Sequence, residues 1–224
     1  PGRKVDWIYL FIDCKVGILP KKRQVINFSD YYFLNMTEYE KCLAGMPFNG
    51  GEKPMTDMAA AARRLMRAFN AVGYEDAAGK YAILKELLGG VGRNVWVDVD
   101  FHCEYGKNIF IGDNSIVNQN CTFIDNNRIT IGRNVLIASN VQIYTATHSV
   151  IPEERRSSGS GDACITIAKP VTVKDNAWIG GGAIILPGVT IGEGTTIGAG
   201  SVVTKDIPDR CVAVGSPCRV IRTL

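Results

Sequence analysis

Along residues 56–72 the apolar positions Met58, Ala62, Leu65, Phe69 and Val72 recur every three or four residues, the spacing that lines one face of an α-helix. Thr56 and Asp57 precede that face as N-caps and Gly73 marks its end. A second, shorter helix is predicted over 76–88, with Tyr81, Leu84 and Leu88 on one side and Gly89-Gly90 as terminators. Residues 36–90 therefore read as a small helical subdomain. Beyond Gly92 the period changes to six, which belongs neither to a helix nor to an ordinary strand. Apolar residues fall at Val99, Tyr105, Ile111, Val117 and Phe123, then after a two-residue shift at Ile131, Ile137 and Ile143. After an interruption the frame resumes at Val173, Ile179, Ile185, Ile191, Ile197 and Val203.

Small or β-branched residues sit four positions after most members of this ladder, at Ser115, Cys121, Val135, Val141, Ala177, Ala183, Val189, Thr195 and Ser201. Such a pattern describes a short strand, a corner and another short strand, with three hexads closing an 18-residue triangular coil. Coils stack at the strand spacing of about 4.8 Å, and hydrogen bonds between them satisfy the backbone. Corner triplets such as Gly112-Asp113-Asn114, Gly132-Arg133-Asn134 and Gly192-Glu193-Gly194 suit the positive φ that a sharp turn requires. One hexad cannot bury its own apolar face, so the array is the folding unit and its inward positions are core.

Function is expected where the repeat breaks. One break is the insertion Asp125-Asn126-Asn127-Arg128, and the other is the polar segment 149–167, expected to protrude from the solenoid as a loop. His148 stands immediately before that loop. The solenoid is expected over 91–206 and a C-terminal tail over 207–224. Residues 1–35 carry no repeat and stop just before Met36, a natural start, so they read as an extension outside the functional argument.

Composition narrows the function classes. A hydrophobic content of 46% is that of an ordinary globular protein, and a net charge of +3 with scattered Lys and Arg gives no nucleic-acid footprint. Seven cysteines without a CxxC pair fit neither a disulfide framework nor a thiolate metal site, so a reducing cytoplasm is expected. The partly apolar stretch 7–19 is interrupted by Asp13 and Lys15, and no run approaches the roughly 20 residues of a membrane helix. No nucleic-acid or membrane partner is expected.

Several segments together carry a resemblance. Among them are Ile143-Tyr144-Thr145-Ala146-Thr147-His148, Asn176-Ala177-Trp178-Ile179-Gly180-Gly181, Pro187-Gly188-Val189-Thr190-Ile191-Gly192 and Gly215-Ser216-Pro217-Cys218-Arg219, specific together where any single hexad is weak. Over residues 36–224 the chain resembles the maltose and galactoside O-acetyltransferases of the hexapeptide-repeat acyltransferases. That resemblance implies a mainly β fold, a left-handed parallel β-helix with a small N-terminal helical subdomain, against the usual right-handed crossover. It also implies acetyl-CoA as co-substrate without a metal, a sugar acceptor, and a homotrimer with active sites between subunits.

A sugar hydroxyl needs a base to remove its proton as it attacks a thioester, and imidazole suits that duty near neutral pH. Of the two histidines, His148 matches the family's catalytic base, with a structural loop histidine as the alternative, while His102 reads as a satisfied, partly buried side chain. Asn118 matches a family residue that contacts the acceptor, and a corner asparagine is the competing reading. Asp125 and Asn126 lie where the family places an acceptor-binding acid, and the alignment does not choose between them. For the cofactor the resemblance implies Trp178 beside the channel and Gly180-Gly181 letting a backbone amide approach the thioester oxygen, with a surface-packing tryptophan and a pair of turn glycines as the competing readings. Thr204, Lys205, Arg219 and Arg222 match positions near the coenzyme, where phosphates call for cations. Cys121 reads as core, and direct transfer needs no acyl-cysteine.

The departures concern the acceptor, since an expected acid aligns with Gly50 and an expected arginine with Ala59. Other readings are an O-acetyltransferase for a surface glycan and a non-catalytic trimeric scaffold. A zinc carbonic anhydrase site on the same solenoid needs three histidines, more than this chain has.

Overall fold

The computed structural model describes residues 36–156 and 164–224. The extension expected over 1–35 and the tip of the loop, 157–163, lie outside the described residues. Glu38–Leu224 form one compact unit. Its architecture is the mainly β, left-handed parallel β-helix with a small helical part.

Among the described residues three helices precede the solenoid: α1 (Glu38–Leu43), α2 (Lys53–Asn70) and α3 (Ala77–Leu87). The sequence pattern missed α1, a single short turn-and-a-half anchored by the buried Cys42. Helix α2 starts ahead of the predicted caps because Pro54 fits the first turn, where its missing N–H costs nothing. It buries Met55, Ala62, Met66 and Phe69 on one face. Helix α3 is capped by Asp76, whose Oδ1 accepts from the Gly79 amide at 2.8 Å.

The solenoid has three parallel faces. The first carries β2 (Gly90–Val91), β5 (Ile109–Ile111), β8 (Ile129–Ile131), β13 (Val171–Val173) and β16 (Thr190–Ile191) in that spatial order. The second carries β3 (Trp96–Val97), β6 (Ile116–Val117), β9 (Leu136–Ile137), β14 (Trp178–Ile179), β17 (Thr196–Ile197) and β19 (Cys211–Val214). The third carries β4 (His102–Cys103), β7 (Thr122–Ile124), β10 (Gln142–Tyr144), β15 (Ile184–Ile185) and β18 (Val202–Val203). Inward residues such as Ile137, Ile143, Ile179, Ile185 and Val203 have no exposed surface, and each buried Ile contributes roughly 1.5–3 kcal/mol.

The register corrects the predicted ladder at its start. Val97 and Cys103, not Val99 and Tyr105, stack beneath Val117 and Phe123. Val91, Ile111 and Ile131 are direct partners, so the first coils are 20 residues long rather than 18. Val173 and Ile191 then give the predicted 18. The two extra residues fall at the third-to-first corner, where Tyr105 leaves the solenoid core and joins Phe48, Met55, Cys42 and Ala168 in a separate cluster.

Two further expectations are corrected. The excursion 149–167 is not loop throughout: β12 (Ile165–Ala168) pairs antiparallel with β11 (Ala146–Thr147) and with β1 (Phe48–Asn49). The solenoid does not stop at 206, because within the expected tail 207–224 β19 extends the second face and β20 (Arg219–Thr223) folds back on it.

Candidate active site

His148 follows β11 at the third-to-first corner and is exposed in the protomer. Its Nδ1 lies 2.8 Å from the carbonyl oxygen of Ile165 in β12. A carbonyl only accepts, so Nδ1 carries the hydrogen and Nε2 keeps a free lone pair. Cys164 Sγ lies 3.7 Å from the same Nδ1. Asn49 of β1 is the register partner of Ile165, so the helical part and the imidazole share one strand as their common reference.

At the same corner Asp125 and Asn126 part company. Asp125 is fully buried; its Oδ1 accepts from the Glu104 and Tyr105 amides at 2.9 and 2.8 Å, and its Oδ2 from the Asn108 amide at 3.2 Å. Burial pushes its carboxyl up to about 6, with the main-chain donors pulling the other way. It therefore offers no oxygen to an acceptor, which corrects one of the two alternatives. Asn126 is half-buried and donates from Nδ2 to the Tyr105 hydroxyl at 3.2 Å. Tyr105 in turn helps to line a cavity of about 360 Å³ whose wall includes Met55, Thr56, Arg63 and Glu104. Gly50 and Ala59, the two departures noted above, lie in the same wall. Arg63 and Glu104 face each other across 3.4 Å, a single long contact.

The remaining candidates occupy other places. Asn118, Gly180 and Gly181 lie at the second-to-third corner, and Trp178 points outward from β14 beside it, 53% exposed. Asn118 Nδ2 donates to the Ile137 carbonyl at 3.0 Å. The Gly180 amide is spent on the Ile197 carbonyl at 2.8 Å, whereas the Gly181 amide meets no acceptor among the described residues. Of the glycine pair only Gly181 can serve as an oxyanion donor. Thr204 and Lys205 are exposed at the third-to-first corner, and Arg219 and Arg222 are exposed on β20. Among the described residues neither Lys205 nor Arg222 makes an ion pair. His102 is exposed on the third face rather than partly buried as expected, because its position in β4 points outward. Cys121 is core, as expected. Within one protomer the third face thus separates His148 and Asn126 from Asn118, Trp178 and Gly181.

Residues 41–92 match the model described as maltose acetyltransferase hexapeptide capping motif, and residues 170–205 match bacterial transferase hexapeptide (six repeats). The galactoside O-acetyltransferase of Escherichia coli is 39% identical over 85% of this chain and 91% of its own length. The chain belongs to the maltose and galactoside O-acetyltransferase family. Its backbone matches the crystal structure of a maltose O-acetyltransferase from Clostridium difficile with a TM-score of 0.80 at 44% identity, covering 84% of this chain and 98% of that one. A hexapeptide-repeat acetyltransferase of Vibrio cholerae, solved in complex with acetyl-CoA, matches at a TM-score of 0.76 and 39% identity over 84% of this chain and 99% of its own. This family member is an acetyltransferase of that type. Sequence reasoning missed Arg63 and Glu104 in its cavity wall, although Glu104 sits in the two-residue insertion that the false ladder position at Tyr105 concealed.

Proposed function

We propose that this acetyltransferase moves an acetyl group from acetyl-CoA to a sugar hydroxyl, with His148 as general base and a homotrimer supplying sites between protomers. The observation that carries the reading is the Nδ1 hydrogen bond to Ile165, which leaves Nε2 as the free, outward base. Acetyl-CoA, when bound, supplies the acetyl group as an activated thioester. The exposed indole of Trp178, the Gly181 amide and the β20 cations Arg219 and Arg222 of one copy, with Thr204 and Lys205 at the His148 corner of the next, fit a ligand that joins a thioester to phosphates. His148 Nε2 takes the proton of the attacking hydroxyl as the new carbon–oxygen bond forms, and returns it to the departing sulfur as the carbon–sulfur bond breaks. Asn118 and Asn126 offer amide groups to the acceptor's other hydroxyls. Gly181 N–H faces the oxygen on which negative charge builds.

The separation of these residues onto two corners supports the trimer, because a second copy can bring its second-to-third corner against the first copy's His148. Ile116, Leu136 and Trp178, 36%, 47% and 53% exposed in one outward column of the second face, suit such a contact. A cytoplasmic setting fits the free cysteines among the described residues. Glycine and alanine at positions 50 and 59, with Arg63 and Glu104 nearby, favour an acceptor whose binding depends on hydrogen bonds from that ion pair, so a surface glycan stands as the second reading.

The test is thiol release from acetyl-CoA with maltose, glucosides, galactosides and water, run on the native chain and on His148→Asn. Asparagine retains a donor for the Ile165 carbonyl but no base, so the rate with sugar should fall by about 10²–10⁴ at an unchanged melting temperature. A loss of less than tenfold refutes the base assignment.

A further inference from the structure

Asp125 is a buried carboxylate that the proposed chemistry does not use, yet it touches the wall of the cavity from behind. Its two oxygens gather the Glu104, Tyr105 and Asn108 amides, the stretch containing the two-residue insertion that departs from the coil. Gly106 in that stretch has φ +71°, and a Cβ there would meet the Leu87 carbonyl oxygen at 2.6 Å, so the turn admits one shape. Asn108 Nδ2 donates back to the Asp125 and Asn126 carbonyls at 2.8 and 3.0 Å, and Asn126 Nδ2 reaches the Tyr105 hydroxyl. Glu104 and Tyr105 are thereby fixed with their side chains along the cavity, Glu104 toward Arg63.

We infer that Asp125 is a positioning residue for acceptor binding: it clamps the 104–108 turn and so sets the Glu104 carboxylate, through which the cavity selects a polyhydroxylated acceptor. The inference rests on the sugar-acceptor reading above. The ionised carboxylate accepts every one of these bonds, whereas the acid form turns one oxygen into a donor facing an N–H. Around Asp125 stand Tyr39 and Cys42 of α1, Cys103 of β4, and Glu104 and Tyr105 of the turn, while Arg128 closes its own insertion. Burial raises Tyr39, Cys42, Cys103 and Tyr105 away from the neutral range, so they stay uncharged where Asp125, raised by its own burial to about 6, changes state.

The experiment compares the native chain with Asp125→Asn and Glu104→Gln. In D125N, amide hydrogen exchange across 104–108 should quicken and the KM for maltose should rise about tenfold, the worth of one hydrogen bond to a charged group, with kcat and the KM for acetyl-CoA held within twofold. In E104Q the maltose KM should rise while exchange across 104–108 stays native. Unchanged exchange in D125N, or quickened exchange with an unchanged maltose KM, overturns the inference. If D125N does not fold, Asn108→Ala, which removes the return bonds to the Asp125 and Asn126 carbonyls, decides in its place: native exchange across 104–108 together with a native maltose KM overturns the clamp. Absence of transfer to any sugar by the native chain refutes the sugar-acceptor reading instead.

Discussion

Gly180 and Gly181 are adjacent and identical in composition, yet the structure assigns them opposite sensitivities to a single methyl group. A Cβ on Gly180 would stand 2.5 Å from the Ala199 nitrogen, 2.8 Å from the Ile197 oxygen and 2.9 Å from the Gly198 carbon. All three are backbone atoms of the next coil. To reach the 3.4 Å at which ordinary contact begins, the Ala199 nitrogen must retreat by about 0.9 Å (3.4 − 2.5) in a stack whose spacing is about 4.8 Å. That movement pulls on the 2.8 Å bond from Gly180 to Ile197. Overpacking of this kind costs about 1–3 kcal/mol, so Gly180→Ala should lower the melting temperature by roughly 3–10 °C for a chain of this size. At Gly181 the nearest atoms are the Ser139 oxygen at 3.3 Å and the Ala138 Cβ at 3.8 Å, and its φ is not positive. Gly181→Ala should melt within about 1–2 °C of the native chain, a change of under ~0.5 kcal/mol, while its methyl crowds the proposed thioester and raises the KM for acetyl-CoA. Differential scanning calorimetry and steady-state kinetics on both variants suffice. A native melting temperature for G180A, or a destabilised G181A with a normal KM, would show that the two roles have been misassigned.

Two other outcomes follow from the corners. Asn134 sits at φ 55° and links Asn114 to Asn176 through its side chain; Asn134→Ala should cost about 1–2 kcal/mol from left-handed strain and the lost amide bonds, and Asn134→Gly measurably less, so equal melting of the two removes the strain argument. Asp113 and Asp175 are held below their ordinary 3.8 first by the Arg93 and Arg133 main-chain amides and then by the same arginines' side chains. Their contribution is present above 3.8 and is lost as pH falls through the depressed values, whereas Asp125, raised, adds stability as pH falls through about 6 and keeps it below 3.8. Melting temperature should therefore peak between roughly pH 4 and 6, and the acid limb should survive 0.5 M NaCl because amide bonds are screened less than exposed charges; an acid limb abolished by salt contradicts this.

The repeat was legible wherever an inward residue had no rival, as at Ile137, Ile179 and Ile197, whose burial is complete. It misled at Val99 and Tyr105 because both are apolar and both fall six residues apart, while the true inward residues Val97 and Cys103 belong to the same period two positions away. Periodicity cannot choose between two apolar frames; the partner coil does. Strand β12 was hidden by its polar approach, since Ile165 and Ile167 look like the ragged end of a loop until Phe48–Asn49 supplies a neighbour. His148 was found through a motif, but the carbonyl that fixes its tautomer is 17 residues away in sequence. Asp125 read as a ligand because an acid at a break in a repeat attracts attention, and only its three amide donors reveal that it faces inward.

Ile131 and Val173 are hydrogen-bonded neighbours although the chain between them is 42 positions long (173 − 131), against 18 between Val173 and Ile191. Within that stretch β9 and β10 are ordinary rungs, and the chain leaves the stack only between Tyr144 and Val171; the stack registers only what lies directly above and below each rung, so the length of that detour is invisible to it. Descendants of this chain are free to lengthen, shorten or recolour the detour without renegotiating any rung, and new selectivity is most easily acquired there.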